Sequence, residues 1–292
     1  PDLTHCTVSS ATRPRLLRNY LKELFLIGDE LLDLACLTYS ERDVAERYQQ
    51  AQRRLEQDPS QSSASIFTAA AVGDVLAADT LLREDPTLVS KRGGPHHMEP
   101  LLYLCYARLH SPEPAHNPLE VAKLLLASGA DPNAYFSHPY GSVFTALTGA
   151  LGEGERGPGN QPPHRQSEKL ARLLLDEGAS PNDGQALYNR MFRHGPGNCC
   201  IELLLSYGLE ASDQVNWSSG DESGVGTLDF LLEHAAKQGF ADRVALLLEN
   251  GADPNFAGFY KPRKTPYAHA LEQEYEQIAA MLKEAGARPT EE

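Results

Sequence analysis

The stretches LLLASGADPN (124–133), LLLDEGASPN (173–182), LLLSYGLEAS (203–212) and LLLENGADPN (246–255) are four copies of one ten-residue template. MLKEAGARPT (281–290) is a weaker fifth copy, and TLLREDPTLV (80–89) a degenerate one. Each part of the template has a mechanical reading. Three apolar residues finish an amphipathic helix, the glycine takes a left-handed position just past its end, and Asp-Pro-Asn turns the chain away. Positive φ is therefore expected at Gly129, Gly178, Gly208 and Gly251.

A second signature lies upstream of these helix ends. MEPLLYLCYARL (98–109) and KTPYAHALEQEY (264–275) approximate the T-P-L-H-x-A start of a repeat's inner helix, with FTALTGAL (144–151) and GQALYNRM (184–191) as looser versions. The two-part pattern resembles the ankyrin repeat family over roughly residues 61–292. The resemblance implies an all-α ankyrin-repeat solenoid of about five to six repeats, some degenerate, with a concave face built from inner helices and loop tips. The runs GGP, EPLLYLCY, TALTGALGEGE, QPPH and PNDGQALYNRMF are also similar to a group of bacterial ankyrin-repeat proteins. That likeness implies a bacterial setting and carries over no catalytic residues.

Residues 1–60 stand apart as an N-terminal helical cap. LLRNYLKELFLIGDELLDLACL (16–37) is apolar at helical spacing, and Ser40-x-x-Asp43 reads as the capping box of a second helix carrying Val44, Tyr48, Ala51 and Leu55. The apolar stripes are expected to dock on the first repeat, because a solenoid end needs a cover.

The spacing of the repeat glycines shows where the regular fold is interrupted. They fall at 129, 178, 208, 251 and 286, at intervals of 49, 30, 43 and 35 residues, against about 33 for an ankyrin repeat. The first excess holds TALTGALGEGERGPGNQPPH (145–164), placed between an inner helix and the outer helix SEKLARLLLDEG; its glycines and prolines predict a loop. HSPEPAHNP (110–118) extends the same junction one repeat earlier, and VNWSSGDESGVGT (215–227) accounts for the second excess.

Alignment of EPLLY, TALTG and QALYN puts Tyr103, Gly149 and Asn189 at the variable position of the inner helix, and Leu102, Thr148 and Tyr188 at the histidine. Arg190 occupies the slot of a small alanine, where a guanidinium needs a partner or solvent. Tyr103, Tyr188, Asn189 and Arg190 are therefore the candidate ligand-binding residues, with the 152–164 loop folded over them. Glu153, Glu155 and His164 on that loop form an acid–base set should the groove be catalytic. The leading reading is a module that captures a protein partner or polar ligand in the concave groove. The alternative is a hydrolase or lyase acting on a polar, sugar-like small molecule.

The remaining features exclude more than they assign. With 26 basic and 40 acidic residues the net charge is -14, which repels phosphate backbones and argues against nucleic acid. The basic spot Lys261, Arg263 and Lys264 reads as a solvated loop. No apolar run approaches the roughly 18 residues of a membrane span, and the five cysteines lack metal-ligand spacing. His96 and His97 are adjacent rather than a turn apart. No metal or cofactor is expected, and reduced thiols place the chain in the cytoplasm.

Overall fold

The leucine-glycine template closes in the same way at each of the five copies that carry the glycine. In the computed structural model, the amide of Gly129 donates to Leu126 O (3.0 Å) and that of Ala130 to Leu125 O (2.9 Å). The paired bonds recur at Gly178 and Ala179, Gly208 and Leu209, Gly251 and Ala252, and Gly286 and Ala287. This is the Schellman closure, which satisfies two orphan carbonyls per helix and requires left-handed backbone at the glycine. The observed φ values are 100°, 98°, 98°, 90° and 96°. The residue after each of the first four glycines is buried, so the helix end is also a packing element.

The structure describes residues 28–110, 116–137, 141–193, 196–216, 224–259, 261 and 263–289, and they divide into two compact units. The first comprises residues up to 134 together with 164–166. It opens with α1 (28–35) and α2 (Ala45–Gln57), followed by a 3-10 turn at Pro59–Ser63. Two helix pairs follow: α3 (Ile66–Val72) with α4 (Val75–Glu84), and α5 (Pro100–Tyr106) with α6 (Pro118–Ala127). Leu31 and Ala35 of α1 and Ala51 and Leu55 of α2 form one buried cluster with Val72 of α3 and Leu109. The apolar stripes thus dock on the first helix pair, while the expected helix over 16–27 lies outside the described residues. The capping box at Ser40 is not formed. Helix α2 starts after Val44 with no side-chain cap. The buried Asp43 instead accepts from Thr38 N–H (3.0 Å) and the Thr38 hydroxyl (2.9 Å) and pairs with Arg47.

The second unit holds residues 135–163 and 167–292. It begins with a short antiparallel pair, β1 (Tyr135–Ser137) and β2 (Val143–Thr145), in which Phe136 faces Phe144. Four helix pairs follow. They are α7 (Ala146–Leu151) with α9 (Ser167–Asp176), α10 (Gly184–Met191) with α11 (Pro196–Ser206), α12 (Thr227–Gln238) with α13 (Ala241–Glu249), and α14 (Pro266–Glu272) with α15 (Glu276–Glu284). Helices α7, α10, α12 and α14 neighbour one another in sequence order. The asparagines of the template tie repeats together: Asn182 Nδ2 donates to Gln214 O (2.9 Å), and Asn255 bridges Gly286 O and Arg288 N–H.

The insertion between α7 and α9 contains one helical turn, α8 (Gly157–Asn160), that its composition did not predict. Gln161 N–H closes that turn on Gly157 O at 2.8 Å. Of the other two insertions, residues 111–115 and 217–223 lie outside the described residues.

Candidate functional site

Three elements of the second unit meet at the loop that follows α7. Gly152 ends α7 at φ 62°, ψ -151°, and Glu153 after it also has positive φ, 63°. Two such residues in succession turn the chain abruptly, and for a glutamate that conformation is strained unless other bonds hold it. Several do. Its amide donates to Gln161 O (2.9 Å) across the loop, and Gln161 Oε1 in turn accepts from Arg156 N–H (3.2 Å). Its carboxylate accepts from Arg190 Nη1 of α10 and from Arg193 Nη1 (3.0 Å). Glu153 is 3% exposed and Arg190 8%. The guanidinium in the alanine slot has therefore found a buried partner.

Asp183 fastens the same two helices at their starts. It caps α10 through Ala186 N–H (2.9 Å) and accepts from the hydroxyls of Thr145 and Thr148, the first turn of α7. Burial pushes its carboxyl pKa up, against the lowering effect of those hydrogen bonds. At the other end of α10, the fully buried Arg243 of α13 donates to Met191 O (2.6 Å), to Arg193 O and to Asn198 Oδ1 (2.8 Å). Desolvation brings its pKa down to about 10. Helix α10 is thus fastened to α7 at its start by its own cap, Asp183, and held at its end by Arg243 of the next repeat.

The sequence-derived site residues separate into distinct groups. Glu155 accepts from the Tyr188 hydroxyl, so both predicted carboxylates reach α10. Asn189 does not face open solvent: it is 2% exposed, and its Oδ1 accepts from Gln185 Nε2 (2.9 Å). Tyr103 belongs to the first unit, where its fully buried hydroxyl donates to Gly93 O (2.9 Å) and accepts from His96 N–H (3.0 Å). The variable position of these inner helices is therefore a core position at Tyr103 and Asn189. His164, also of the first unit, is buried, and its Nδ1 accepts from Gln166 N–H (3.1 Å). Burial, assisted by Arg108 and Arg165, lowers its pKa to about 3.

What remains open is an aromatic series. Tyr188 meets Phe192 edge to face at 5.1 Å, Phe192 meets His234 of α12 at 5.7 Å, and His234 contacts Phe240 at 6.2 Å. Phe192 is 38% exposed and Tyr188 half-buried. Sequence reasoning missed Phe192, Arg193, His234 and Arg243. Arg193 lies one turn beyond Arg190, a spacing that would have found it; Arg243 gives no local signal, because its hydrogen-bond partners are 45 to 52 residues away. A cavity of about 640 Å³ lies between α9 and α11 and includes Ser167, Arg172, Arg190, Cys200 and Glu202, but no residue of the 152–163 loop. Among the described residues no group of three His, Cys, Asp or Glu is placed to hold a metal ion, and no helix is long and apolar enough to cross a membrane.

No protein-family model matches the chain, and no curated protein matches it. Solved structures do. An ankyrin repeat domain from Acinetobacter baumannii AYE is 24% identical over 76% of this chain and 98% of its own, with a TM-score of 0.54. The ankyrin repeat domain of human ASB11 is 20% identical over 77% of this chain and 85% of its own, with a TM-score of 0.47. The chain has the ankyrin-repeat fold.

Proposed function

We propose that this chain is a binding module that captures a protein partner on the face of α10 and α12 beside the 152–163 loop. The observation that carries the reading is the partly open series Tyr188, Phe192, His234 and Phe240 next to a loop that Glu153 and Glu155 fasten to α10. Aromatic rings supply large contact area at low entropic cost, and a surface fixed before binding loses little freedom on association. The loop is thus the support of the surface. A cytoplasmic setting is supported by the free thiols of Cys36, Cys105, Cys199 and Cys200.

The hydrolase or lyase reading draws no support from this arrangement. Glu153 is engaged by two guanidinium groups, Glu155 by a phenol, and His164 serves as an acceptor within its own turn. A polar small-molecule ligand would find room in the 640 Å³ cavity, where Arg190 Nε is buried with no hydrogen-bond partner.

A photo-crosslinking amino acid placed at Phe192 tests the module. It should trap a discrete partner from cells that express the protein, whereas the same group at Glu202 on α11 should not. Identical crosslinked species from both positions, or none from Phe192, would refute the reading.

A further inference from the structure

The second unit is strongly acidic, with 22 acidic against 12 basic residues. Yet Lys237, Lys261 and Lys264 converge on one pocket of about 170 Å³ between α12, α14 and the turn that precedes α14. Its other lining residues are Glu233, His269, Glu272 and Gln273. The charges in it are unequally committed. Lys264 Nζ holds both carboxylate oxygens of Glu272, at 2.6 and 2.7 Å. The buried Glu233 accepts from Phe259 N–H (2.7 Å) and lies 3.6 Å from His269 Nε2. Lys237 and Lys261 are exposed and have no ion-pair partner among the described residues.

Gly258 and Phe259, which precede Lys261 and Lys264 on the loop side of the pocket, are closely packed. Gly258 has φ 82°, and a Cβ there would stand 2.5 Å from Lys264 O and 3.1 Å from Glu233 Oε1. Phe259, which follows it, is anchored through its amide to Glu233 and through its ring edge to face on Phe230 at 5.6 Å. Gly258 and Lys264 are therefore packed closely together beside α12.

We propose that this pocket is an anion subsite for a phosphate monoester. Two open ammonium groups match the two negative charges of a phosphoryl group, whereas a carboxylate answers one of them. The pocket volume of about 170 Å³ admits a phosphate. The site lies on α12, the helix that also carries His234, so the subsite rests on the binding-module reading where the phosphate belongs to a partner's side chain. A free phosphorylated small molecule is the other source of the same chemistry.

The test is a titration followed by NMR through the amides of Lys264 and His269. Its probes are inorganic phosphate, a phosphoserine dodecapeptide and the unphosphorylated twin of that peptide. Saturable shifts are expected with phosphate and with the phosphopeptide but not with the twin. The double variant Lys237→Gln, Lys261→Gln should weaken them at least roughly ten-fold, with Lys283→Gln on α15 as an inert control. The melting temperature of the double variant should stay at the parent value, because both lysines are exposed and unpaired. Tighter binding of the phosphopeptide than of phosphate supports the subsite with a phosphorylated partner as its source, and equal or weaker binding supports it with the free anion. No saturable response in the parent, or the same response in the double variant, overturns it. Loss of this response with crosslinking at Phe192 intact removes the subsite alone; the converse removes the module and leaves the anion pocket.

Discussion

At Glu153 a strained backbone and a buried charge depend on each other. Glu153 combines positive φ with a buried carboxylate, and two guanidinium groups hold it. Arg190→Leu should lower unfolding stability by about 3 kcal/mol or more, because it leaves a buried carboxylate with one partly exposed cation. Glu153→Leu added to it should restore part of the loss, a coupling that denaturant titration of the four proteins measures. If Arg190→Leu unfolds at the parent midpoint, the ion pair is not what holds the loop. His164 has the opposite electrical problem, since it is buried neutral. Its unfolded pKa is near 6.5 and its folded pKa about 3, so between those values the unfolded chain binds the extra proton. Stability is then complete above about pH 6.5 and falls with acidification, by up to about 1.4 kcal/mol per pH unit. His164→Gln should reduce the fall in melting temperature between pH 7 and 5, leaving the share of His234, whose pKa burial lowers to about 4; an unchanged slope would show that His164 protonates without unfolding. Arg190 was legible as an anomaly because it violates a small-residue slot. Tyr103 and Asn189 were misjudged because burial of the variable position depends on side chains from other segments, which a repeat alignment does not contain.

Elements follow the same division between local and distant causes. The helix ends were readable because a Schellman closure is written in six consecutive residues, and each bond joins groups within that span. Helix α8 was not, since Gly-Pro-Gly-Asn is poor in helix formers and its turn is closed by Gln161, which also accepts from the amides of Glu153 and Arg156. The capping box at Ser40 failed for a related reason: Asp43 is claimed by Thr38 and Arg47 before it can serve a helix start. Two glycines with similar backbone make a quantitative contrast. Gly208 has φ 98° and open space where a Cβ would stand, whereas a Cβ on Gly73, φ 85°, would meet Pro118 N at 2.7 Å. Gly208→Ala should therefore cost only the left-handed backbone penalty, about 1 kcal/mol. Gly73→Ala should cost clearly more, since α6 must shift to admit the methyl group. Thermal melts of the two variants decide this, and equal losses would mean that the junction at Pro118 yields freely.

Over the whole molecule the governing quantity is charge, and it is divided unevenly. The first unit carries 18 acidic and 14 basic residues, a balance of -4, and the second 22 and 12, a balance of -10. Self-repulsion of this kind opposes the compact state and is screened over about 10 Å at 0.1 M salt. Raising sodium chloride from about 10 mM to 300 mM, a range over which the screening length contracts several-fold, should therefore increase the melting temperature. The gain should fall mainly on the second unit. Hydrogen exchange separates the units: protection of α10, α12 and α14 should rise with salt more than that of α3 and α5. The surface pairs, such as Lys264 with Glu272, work in the other direction, because salt weakens them while it relieves the net repulsion. The long-range term is expected to prevail, since such exposed pairs contribute under about 1 kcal/mol each. The Arg190–Glu153 pair that holds the 152–163 loop is buried and largely shielded from added ions. A melting temperature that falls with salt would reverse that order and assign the fold's cohesion to its surface pairs.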